Sequence, residues 1–561
     1  MKIAVCVKYV PVVSRITFDY ENKSIVREGV PSEINLFDLL GLVRAVELKQ
    51  GPEDQVVVIS MGPPHAREGL LQCLALGADR AILITDDAFA GSDTLATART
   101  LALALAQETP DLIICGRNST DAETGQVGPE LAELIGIPHV SNVSKLDYEP
   151  DTGFIQVRRV TDLGYQTIRC PLPALVCVTE GIAPGLYPNR QQLEEAEKRP
   201  LDELNCADLS SDTSIFGRTG SPTVVEDIRL VEPDRLGVVF EKGTTEDSAR
   251  QVAQLIKERL GVLDTDGLRR NTAVGSVRYP DRLAKSIWVV AEKSGSGLRR
   301  VTLEMLGKAR DLTSLTLSEV AVVLIGRGDD VLAAELASYG ADRVMVLDNT
   351  DLGPVCGRRV SEALSAAIER ARPYAILFAS TADGRDLASR IAARLRLGLT
   401  GDAIDLEIDA EGRLVQLKPA LGGNVLAPIL SKTLPNLVTM RPGILSPIIP
   451  DYGAKASLET LGSSDFHGND IEVLEEHRQE DIGAIALSQA QVVVGVGMGI
   501  GGPENLRKIQ ALASSIGAHM AATRSVVHSG WLPQQVQVGI VVIVHLHGTS
   551  PLRGAESGKQ A

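Results

Sequence analysis

The sequence repeats the stretch Gly77-Ala78-Asp79-Arg80-Ala81-Ile82-Leu83-Ile84 as Gly340-Ala341-Asp342-Arg343-Val344-Met345-Val346-Leu347, 263 residues further on. In each copy a short polar turn leads into an apolar run, which is the pattern of a loop that enters a buried strand. Two other pairs of segments repeat in the same order at almost the same spacing: 59–62 with 323–326, and 110–114 with 373–377. Three matched segments in one order predict two copies of one fold.

Both copies alternate short apolar runs with helical patterns. The first copy predicts strands near residues 2–8, 55–61, 81–85 and 111–116, and helices near 38–50, 65–76 and 93–107. The second copy predicts strands near 286–291, 319–325, 344–348 and 374–379, with helices at 332–339 and 360–370. This alternation is typical of a parallel sheet with helices on both faces. We therefore predict an α/β fold with two related doubly wound, Rossmann-like domains.

The repeats divide the chain into four predicted segments. The first copy takes residues 1–204, and the second copy takes residues 284–480. Residues 205–283 are richer in Ser, Thr, Asp and Gly, with one helix near Thr245–Leu260, which indicates an extended arm and a linker. A third unit of flavodoxin or Rossmann-like type is predicted over residues 481–561.

Composition and charge narrow the classes of function. The 561 residues carry a net charge of -16, and an acidic surface repels phosphate backbones, so we expect no nucleic-acid partner. No apolar stretch reaches the roughly 18 residues of a membrane span. The seven cysteines are scattered without a CxxC pair, and the eight histidines lack metal-ligand spacing, so no metal is expected. These features predict a protein of the reducing cytoplasm with no direct membrane span.

A glycine-rich turn follows an apolar run in the third unit. Gly497, Gly499 and Gly502 have GxGxxG spacing, and Pro503-Glu504 then predicts the start of a helix. Glycines let backbone N–H groups approach a phosphate, and a helix N-terminus adds partial positive charge. A purely structural turn explains these glycines equally well. The acidic ribose ligand of an NAD site is missing near residues 519–522, which disfavours NAD at this turn.

A long polar loop follows the predicted strand at 111–116. It runs from Gly116 to Pro129, and its candidate donors are the hydroxyl and amide groups of Ser119, Thr120, Thr124 and Gln126. Such groups can bond to a phosphate or an adenine at the carboxyl end of a parallel strand, where α/β sheets bind ligands. A capped turn before a helix is the alternative that these residues leave open.

Several short segments of both copies match one known family. In the first copy they are Val7–Pro11, Asn35 with Asp38, Met61–Pro64, Gly77–Arg80, Thr124–Pro129 and Gly220–Thr223. In the second copy and the third unit they are Gly384–Ala388, Gly398–Asp402, Gly422–Asn424, Arg441–Gly443, Glu504-Asn505, Thr523-Arg524, Gly530-Trp531 and Gln537–Gly539. In these segments the chain resembles the beta subunit, and then the alpha subunit, of electron transfer flavoproteins. The resemblance implies a fused, single-chain member whose two copies pair as a pseudo-symmetric base.

The resemblance implies that the third unit holds an FAD that carries the electrons. The implied contacts are Arg441, Gly497, Gly499, Gly502, Thr523, Arg524, Gln537, Val538 and Gly539. By this match Arg524 lies over the flavin ring, where a cation stabilises the negative charge of the reduced ring. The match fades after Gly539, and we expect a truncated or divergent FAD domain there.

The resemblance also implies a second adenine nucleotide in the first copy. The implied contacts are Cys6, Asn35, Met61, Asp121, Thr124, Gly125, Gln126 and Val127. This nucleotide is AMP in ordinary members of the family and a second FAD in electron-bifurcating members. The segment Phe89–Thr94, taken with the loop at 124–129, looks slightly more like the branch with two flavins.

The implied function is that of a redox-active electron carrier rather than of a substrate-converting enzyme. It would take electrons from a flavin dehydrogenase of the acyl-CoA dehydrogenase type and pass them to a quinone reductase or a similar acceptor. Leu193 is the candidate apolar anchor for the dehydrogenase, with a leucine on an ordinary helix face as the equal alternative. Two other functions stay open: a bifurcating flavoprotein that oxidises NADH with two FADs, and a non-redox protein that binds an adenine nucleotide beside a degenerate FAD domain.

Overall fold

The computed structural model describes the greater part of the chain. The described residues are 1–19, 24–26, 29–230, 244–262, 286–294, 297–316, 318–326, 328, 330–348, 354–423, 425–461, 470–478, 487, 490, 492–533 and 536–538. We refer to 1–230 as the first unit, to 286–478 as the second unit and to 492–538 as the third unit. None of the helices in these ranges is both long enough and apolar enough to cross a lipid bilayer.

Strands and helices alternate through the first unit. Its strands are β1 Lys2–Cys6, β2 Tyr9–Pro11, β3 Thr17–Asp19, β4 Ser24–Val26, β5 Ser32–Ile34, β6 Gln55–Met61, β7 Arg80–Ile84, β8 Leu112–Gly116, β9 His139–Glu149, β10 Phe154–Thr161, β11 Gly164–Pro171, β12 Ala174–Val178, β13 Leu201–Leu204, β14 Thr223–Val225 and β15 Arg229–Leu230. Its helices are α1 Leu36–Glu47, α2 Arg67–Ala75, α3 Thr94–Glu108, α4 Val127–Ile135, α5 Arg190–Ala196, α6 Cys206–Leu209 and α7 Gly217–Gly220. The helix α8, Thr245–Val262, follows this unit.

Seven parallel strands form the centre of the first unit, in the order β13-β7-β6-β1-β8-β12-β9. Side chains alternate along β1, so that Ile3 and Val5 pack with α1 and α2, whereas Ala4 and Cys6 pack with α3 and α4. A sheet covered by helices on both faces buries both sets of side chains, which explains the continuous apolar runs in its strands. The antiparallel strands β10 and β11 extend the sheet beyond β9.

The second unit repeats this construction. Its strands are β16 Ile287–Ala291, β17 Lys293–Ser294, β18 Gly297–Leu298, β19 Val320–Ile325, β20 Arg343–Leu347, β21 Ala375–Ala379, β22 Leu399–Ala403, β23 Asp405–Ile408, β24 Leu414–Ala420, β25 Val425–Ser431, β26 Asn436–Met440, β27 Ser457–Thr460 and β28 Glu472–Arg478. Its helices are α9 Arg300–Thr316, α10 Asp330–Ser338, α11 Arg358–Ala371 and α12 Ala382–Leu395. Helices α9 and α10 pack on one face of the sheet, and α11 and α12 pack on the other.

The two sheets have the same strand order. The second sheet runs β22-β26-β21-β16-β19-β20-β27, and all of its neighbouring strands are parallel. We number the seven parallel strands of each unit from 1 to 7 in the order of the chain. Read from β9 to β13, the first sheet has the order 5-6-4-1-2-3-7, and the second sheet has the same order when it is read from β22 to β27. The α/β fold class is therefore confirmed, and the structure has the duplication that the sequence repeat predicts. The limits of the strands agree with the predicted ones to within one or two residues.

Strands of each unit form antiparallel pairs with strands of the other unit. Strand β28 of the second unit pairs with β11 of the first, in a register that joins Gly164 to Arg478 and Arg169 to Glu472. In return, β14 and β15 of the first unit pair with β25 of the second, and Thr223 lies opposite Ser431. The two units cannot separate without breaking backbone hydrogen bonds in the large sheet of the first unit and in the separate antiparallel sheet of β23, β24 and β25.

The segment predicted to be an extended arm, which begins at residue 205, is compact in its first part, which belongs to the first unit. Helices α6 and α7 lie there, and the side chain of Phe216 between them is 1% exposed. The Phe216 ring packs edge-on against Phe89, with ring centroids 5.1 Å apart. The cross-unit strand pairing starts only at Thr223. Much of the predicted linker, 263–285, lies outside the described residues.

The third unit is a small parallel α/β layer. Its strands are β29 Val493–Val496, β30 His519–Thr523 and β31 Gln537–Val538, and its helices are α13 Leu506–Ser515 and α14 Arg524–His528. The strand order is β29-β30-β31, with both pairs parallel. Its buried side chains include Val496, Ala521, Ala522 and Val526. This is the Rossmann-like C-terminal unit that the sequence predicts.

A buried carboxylate joins the first and second units where α4 packs against α12. Asp386 of α12 lies with Oδ1 2.8 Å from His139 Nδ1, and its Oδ2 accepts a hydrogen bond from Arg390 Nε at 3.3 Å. The three side chains are at most 1% exposed. Burial opposes ionisation, but Arg390 and His139 outweigh it and lower the pKa of Asp386 to about 2.

We expect Asp386→Asn to lower the free energy of unfolding by about 3 kcal/mol at pH 7, because it removes the carboxylate that interacts most strongly with the buried Arg390. The lowered pKa means that the stabilisation by Asp386 is complete above about pH 4 and is lost as the pH falls towards 2. Urea denaturation at pH 7 measures the first effect.

The control is Asp405→Asn, which removes a carboxylate that is 42% exposed and paired with Lys308. An exposed ion pair contributes less than about 1 kcal/mol. Equal losses of stability in the two variants would contradict the role assigned to Asp386.

Candidate functional site

The carboxyl ends of β29, β30 and β31 bring together residues that the sequence predicts to hold FAD. Gly497 directly follows β29, and a Cβ atom placed on it would lie 3.9 Å from Thr523 Cγ2 at the end of β30. Thr523 in turn pairs in register with Val538 of β31. We call this surface, formed by Gly497, Gly499, Thr523 and Val538, the glycine edge. Ligands of parallel α/β sheets bind at such an edge.

The backbone of the glycine edge faces open space. Among the described residues, no atom outside the adjoining residues would lie within 4 Å of a Cβ atom placed on Gly499, and the same holds for Gly501. Gly501 has a φ of 81°, which favours glycine. Gly502 differs, because a Cβ atom there would collide with the Glu504 carboxylate. An open glycine backbone at a strand end fits the phosphates of a dinucleotide such as FAD.

The helix after the glycine turn starts later than the sequence indicates. Pro503 opens a short 3-10 turn, Pro503–Asn505, and the α-helix begins at Leu506. Asn505 holds this arrangement, since its Nδ2 donates to Ile500 O at 2.8 Å. A proline fits the first turn of either helix type because its missing N–H has no partner there.

The structure describes the other predicted FAD contacts only in part. Arg524 begins α14 directly after Thr523, so its backbone lies at the glycine edge. Gln537 forms β31 with Val538, and Gly539 lies outside the described residues. Arg441 belongs to the second unit, after β26, where its Nε donates to Asp402 Oδ2 at 2.9 Å. Its contact with a flavin stays a prediction.

A second candidate site lies at the carboxyl ends of β1, β6 and β8. It contains Cys6 and Met61 at the ends of their strands, together with Asn35 and the loop at 117–127. We call this surface the loop edge. It collects all the residues predicted to hold the second nucleotide, because the carboxyl ends of neighbouring parallel strands share one edge of the sheet.

Asn35 anchors the loop with both ends of its side chain. Its Nδ2 donates to Asn118 O at 2.9 Å, and its Oδ1 accepts from Thr120 N at 3.1 Å. Asp121 is tied down by Lys8, with 2.8 Å between Nζ and Oδ2. Asn35 and Asp121 therefore act on the shape of the loop.

The predicted set of binding residues omits Asp38, which lies beneath the loop. Its two carboxylate oxygens accept from Lys8 N at 2.8 Å and from Gly116 N at 2.9 Å. Burial raises the pKa of Asp38 to about 7, in spite of these bonds. A Cβ atom on Gly116 would collide with Asp38, so the close approach requires glycine. In the sequence, this site is marked by an acidic residue in an otherwise apolar helix start and by the family match of Asn35 with Asp38.

The Thr124–Val127 turn packs against the second unit. Gln126 is 2% exposed, its Oε1 accepts from Thr94 Oγ1 at 2.8 Å, and its Nε2 donates to Leu399 O at 3.5 Å. The turn leads into α4, which begins at Val127, and the side chain of Gln126 does not cap that helix. Free N–H groups at a helix start favour an anion beside them.

Cys6 is the first of three buried cysteines that lie side by side on neighbouring strands. It lies in register with Cys115 of β8, which lies in register with Cys177 of β12. A hydrogen bond to Cys115 and burial raise the pKa of Cys6 well above its ordinary value. The row ends at His139 Nε2, 3.3 Å from Cys177 Sγ. Cys6 is therefore a protonated packing group, and it presents an uncharged wall to the loop edge.

The equivalent edge of the second unit is closed. Only Ser380 and Thr381 separate β21 from α12, whereas residues 117–126 separate β8 from α4. Asp162, from the β10–β11 turn of the first unit, occupies this edge and accepts from Ala382 N at 2.9 Å. At this position of the duplicated fold the first unit thus has a ten-residue connection, 117–126, and the second unit a two-residue one, 380–381.

The predicted partner anchor Leu193 lies on α5 and is half-buried. Asn189 caps this helix, and its side chain accepts from Gln192 N at 3.0 Å. Just before the cap, Leu186 and Tyr187 are 47% and 79% exposed. Exposed apolar side chains therefore stand beside Leu193 on this surface.

We expect Gly499→Asp to lower the affinity for FAD at least about tenfold, because a carboxylate in the open space would repel the phosphates. Its free energy of unfolding should stay within about 0.5 kcal/mol of the parent, since the new side chain meets no neighbour. Fluorescence titration with FAD and thermal unfolding measure the two quantities. Gly499→Ala is the uncharged control, and unchanged FAD affinity in Gly499→Asp would contradict the placement of the phosphates.

Two family models match the chain. The model of the electron transfer flavoprotein domain matches residues 23–209 and again residues 287–465. The model of the electron transfer flavoprotein FAD-binding domain matches residues 486–543. The repeated match follows the duplication, and the second model covers the glycine edge.

Similar proteins match different parts of the chain. The electron transfer flavoprotein subunit beta of Clostridium acetobutylicum is 36% identical over 258 residues, which cover 46% of this chain and 99% of that protein. The subunit alpha of Thermoanaerobacterium thermosaccharolyticum is 36% identical over 260 residues, which cover 46% of this chain and 78% of that protein. The caffeyl-CoA reductase-Etf complex subunit CarD of Acetobacterium woodii is 35% identical over 227 residues, which cover 40% of this chain and 86% of that protein. The chain therefore belongs to the electron transfer flavoprotein family, as a fusion of beta-like and alpha-like parts.

Proposed function

We propose that this chain carries electrons from a flavin dehydrogenase of the acyl-CoA dehydrogenase type to a quinone reductase or a similar acceptor. The observation that carries the proposal is the glycine edge. There the predicted residues of three strands meet around an open backbone, within a segment that matches an FAD-binding domain. A relative whose name places it in a complex with caffeyl-CoA reductase supports a partner that handles CoA thioesters.

When bound, FAD supplies the capacity to accept and release electrons singly or in pairs. The chain itself binds the phosphates along Gly497–Gly499 and orients the ring from the ends of β30 and β31. By the family resemblance, Arg524 supplies a positive charge to the flavin ring. This charge stabilises the reduced ring more than the oxidised one, and so raises its reduction potential.

The proposal includes a second adenine nucleotide at the loop edge, either AMP or FAD. A second candidate function follows if it is FAD: an electron-bifurcating flavoprotein that oxidises NADH. The observation that favours this candidate is the bond between Thr94 and Gln126. It joins the two segments, Phe89–Thr94 and Thr124–Pro129, that resemble the branch of the family with two flavins.

The proposed dehydrogenase contact is the surface around Leu193. One apolar anchor with polar surroundings is the usual form of a small, transient protein interface. Leu186 and Tyr187 add exposed apolar area next to it. We place the protein in the cytoplasm, which its seven free cysteines support because a reducing compartment keeps thiols unpaired.

The absorbance spectrum of the purified protein and the nucleotides that acid releases from it test this function. One flavin with AMP is the result expected for the carrier. Two flavins, with the flavin absorbance bleached by NADH, would support the bifurcating candidate instead. A colourless protein that takes up no added FAD would contradict both functions.

We expect Arg524→Ala to lower the midpoint potential of the flavin by about 60 mV or more, which is tenfold in a one-electron equilibrium. The variant should also bind FAD more weakly, because the cation favours the bound and reduced cofactor. Redox titration measures the potential. Arg507→Ala, which removes an exposed arginine of α13 in the same unit, is the matched control. An unchanged potential in Arg524→Ala would refute the assigned role.

A further inference from the structure

An arginine of the second unit reaches the loop edge of the first unit. Arg385 lies in the first turn of α12, and its Nη1 donates to Glu123 O at 3.3 Å. A Cβ atom placed on Gly125 would lie 3.8 Å from the same nitrogen. The Nε of Arg385 donates to Ser380 O at 3.2 Å, which holds the guanidinium against its own unit. None of the residues predicted to hold the second nucleotide comes from the second unit, so Arg385 is an addition to that site.

The loop needs this support because two of its residues have left-handed backbone conformations. The φ angle is 52° at Glu123 and 65° at Gly125. A left-handed conformation costs a residue with a Cβ atom about 1 kcal/mol, and glycine pays almost none of it. Within its own unit, Glu123 N donates to Ser119 O at 2.8 Å. The bond from Arg385 stabilises the backbone at Glu123, where the conformation is least favourable.

Asp402 holds Arg385 in position. Its Oδ1 accepts from Arg385 Nη2 at 3.1 Å, and its Oδ2 accepts from Arg441 Nε at 2.9 Å. The Asp402 side chain is 3% exposed. Burial opposes ionisation, but the two arginines outweigh it and hold the pKa of Asp402 well below its ordinary range. One carboxylate thus fixes two guanidinium groups beside the loop.

Positive charge is in excess around this carboxylate. Arg385, Arg441 and the buried Lys418 all lie close enough to Asp402 to interact with it electrostatically. Burial lowers the pKa of Lys418 to about 8, so it is largely charged at neutral pH. Arg385 reaches the turn through Glu123 O. The Nζ of Lys418 donates to Gly401 O, and a Cβ atom on Gly401 would lie 2.7 Å from Gln126 Nε2, so Lys418 also lies near the turn, where a positive field favours a phosphate.

We propose that Arg385 and Asp402 are positioning residues for the second nucleotide, and that they hold the turn at 123–127 in the shape that binds the phosphate of an adenine nucleotide. The inference rests on the proposed function, because the second nucleotide is part of it. The ligand class is an adenosine phosphate, either AMP or the adenosine end of a second FAD. The nucleotide site at the loop edge is then formed by residues of the first unit and supported by Arg385 and Asp402 of the second.

The test is the variant Arg385→Gln in the full-length protein, titrated with AMP and with FAD separately. We expect the affinity of the loop edge for its nucleotide to fall about tenfold, as for the loss of one hydrogen bond from a charged donor. The flavin of the third unit should be retained at the level of the parent. Arg385→Lys keeps the charge without the planar fork, and we expect it to restore only part of the affinity.

Arg343→Gln is the matched control. Arg343 is 28% exposed against 29% for Arg385, and it also pairs with carboxylates, those of Glu319 and Glu459, but at the opposite edge of the same sheet. We expect this variant to bind both nucleotides as the parent does. Asp402→Asn should weaken the same nucleotide as Arg385→Gln, and the two effects should not add in the double variant.

Three results would overturn the inference: parental nucleotide affinity in Arg385→Gln, an equal loss of affinity in Arg343→Gln, or an equal loss of the third-unit flavin in Arg385→Gln. A parent protein that carries flavin in the third unit but binds neither AMP nor FAD at the loop edge would also overturn it, and would leave electron carriage standing. A parent that binds AMP at the loop edge and no flavin would refute electron carriage, while the Arg385 comparison could still be made with AMP.

Discussion

The arrangement of the whole base depends on one buried carboxylate, Asp386, at the contact of α4 with α12. A charged group with at most 1% exposure is tolerated only because His139 of the first unit and Arg390 of the second share it. This requirement fixes the two sheets relative to each other. The neighbouring residue, Arg385, is thereby directed at the loop edge, so that one turn of α12 serves both the interface and the candidate site.

The two units share one strand order but differ at their carboxyl edges. The first keeps a long loop between β8 and α4, whereas in the second α12 follows β21 almost at once, and Asp162 of the first unit caps it. The exchanged strands β28, β14 and β15 add backbone pairing in both directions. A duplicated fold has thus become asymmetric in the loops at its carboxyl edges while it stays nearly symmetric in its sheets.

Much of the fold and part of the site could be predicted from local patterns. The apolar runs and the repeated Gly-Ala-Asp-Arg turns indicate both parallel sheets, since strand burial on two faces leaves a strong pattern. The glycine spacing indicates the glycine edge, because open backbone is a property of a few consecutive residues. Asp38, Arg385 and Asp402 were missed as parts of the loop edge. Asp38 and Arg385 bond to residues 78 and 262 positions away, and Asp402 acts on the loop only through Arg385.

The sequence by itself determined the duplication, the α/β class, the position of the phosphate-type turn and the family resemblance. These follow from periodicity and from short motifs, which depend on neighbouring residues alone. Only the tertiary structure decided that each unit lends a strand to the other, that Arg441 pairs with Asp402, and that the second unit supports the loop of the first. The physical reason is that buried charges and edge strands find partners by proximity in space. Separations of 39 residues, for Arg441 and Asp402, and of more than 200 residues, for the other pairs, leave no local pattern in the chain.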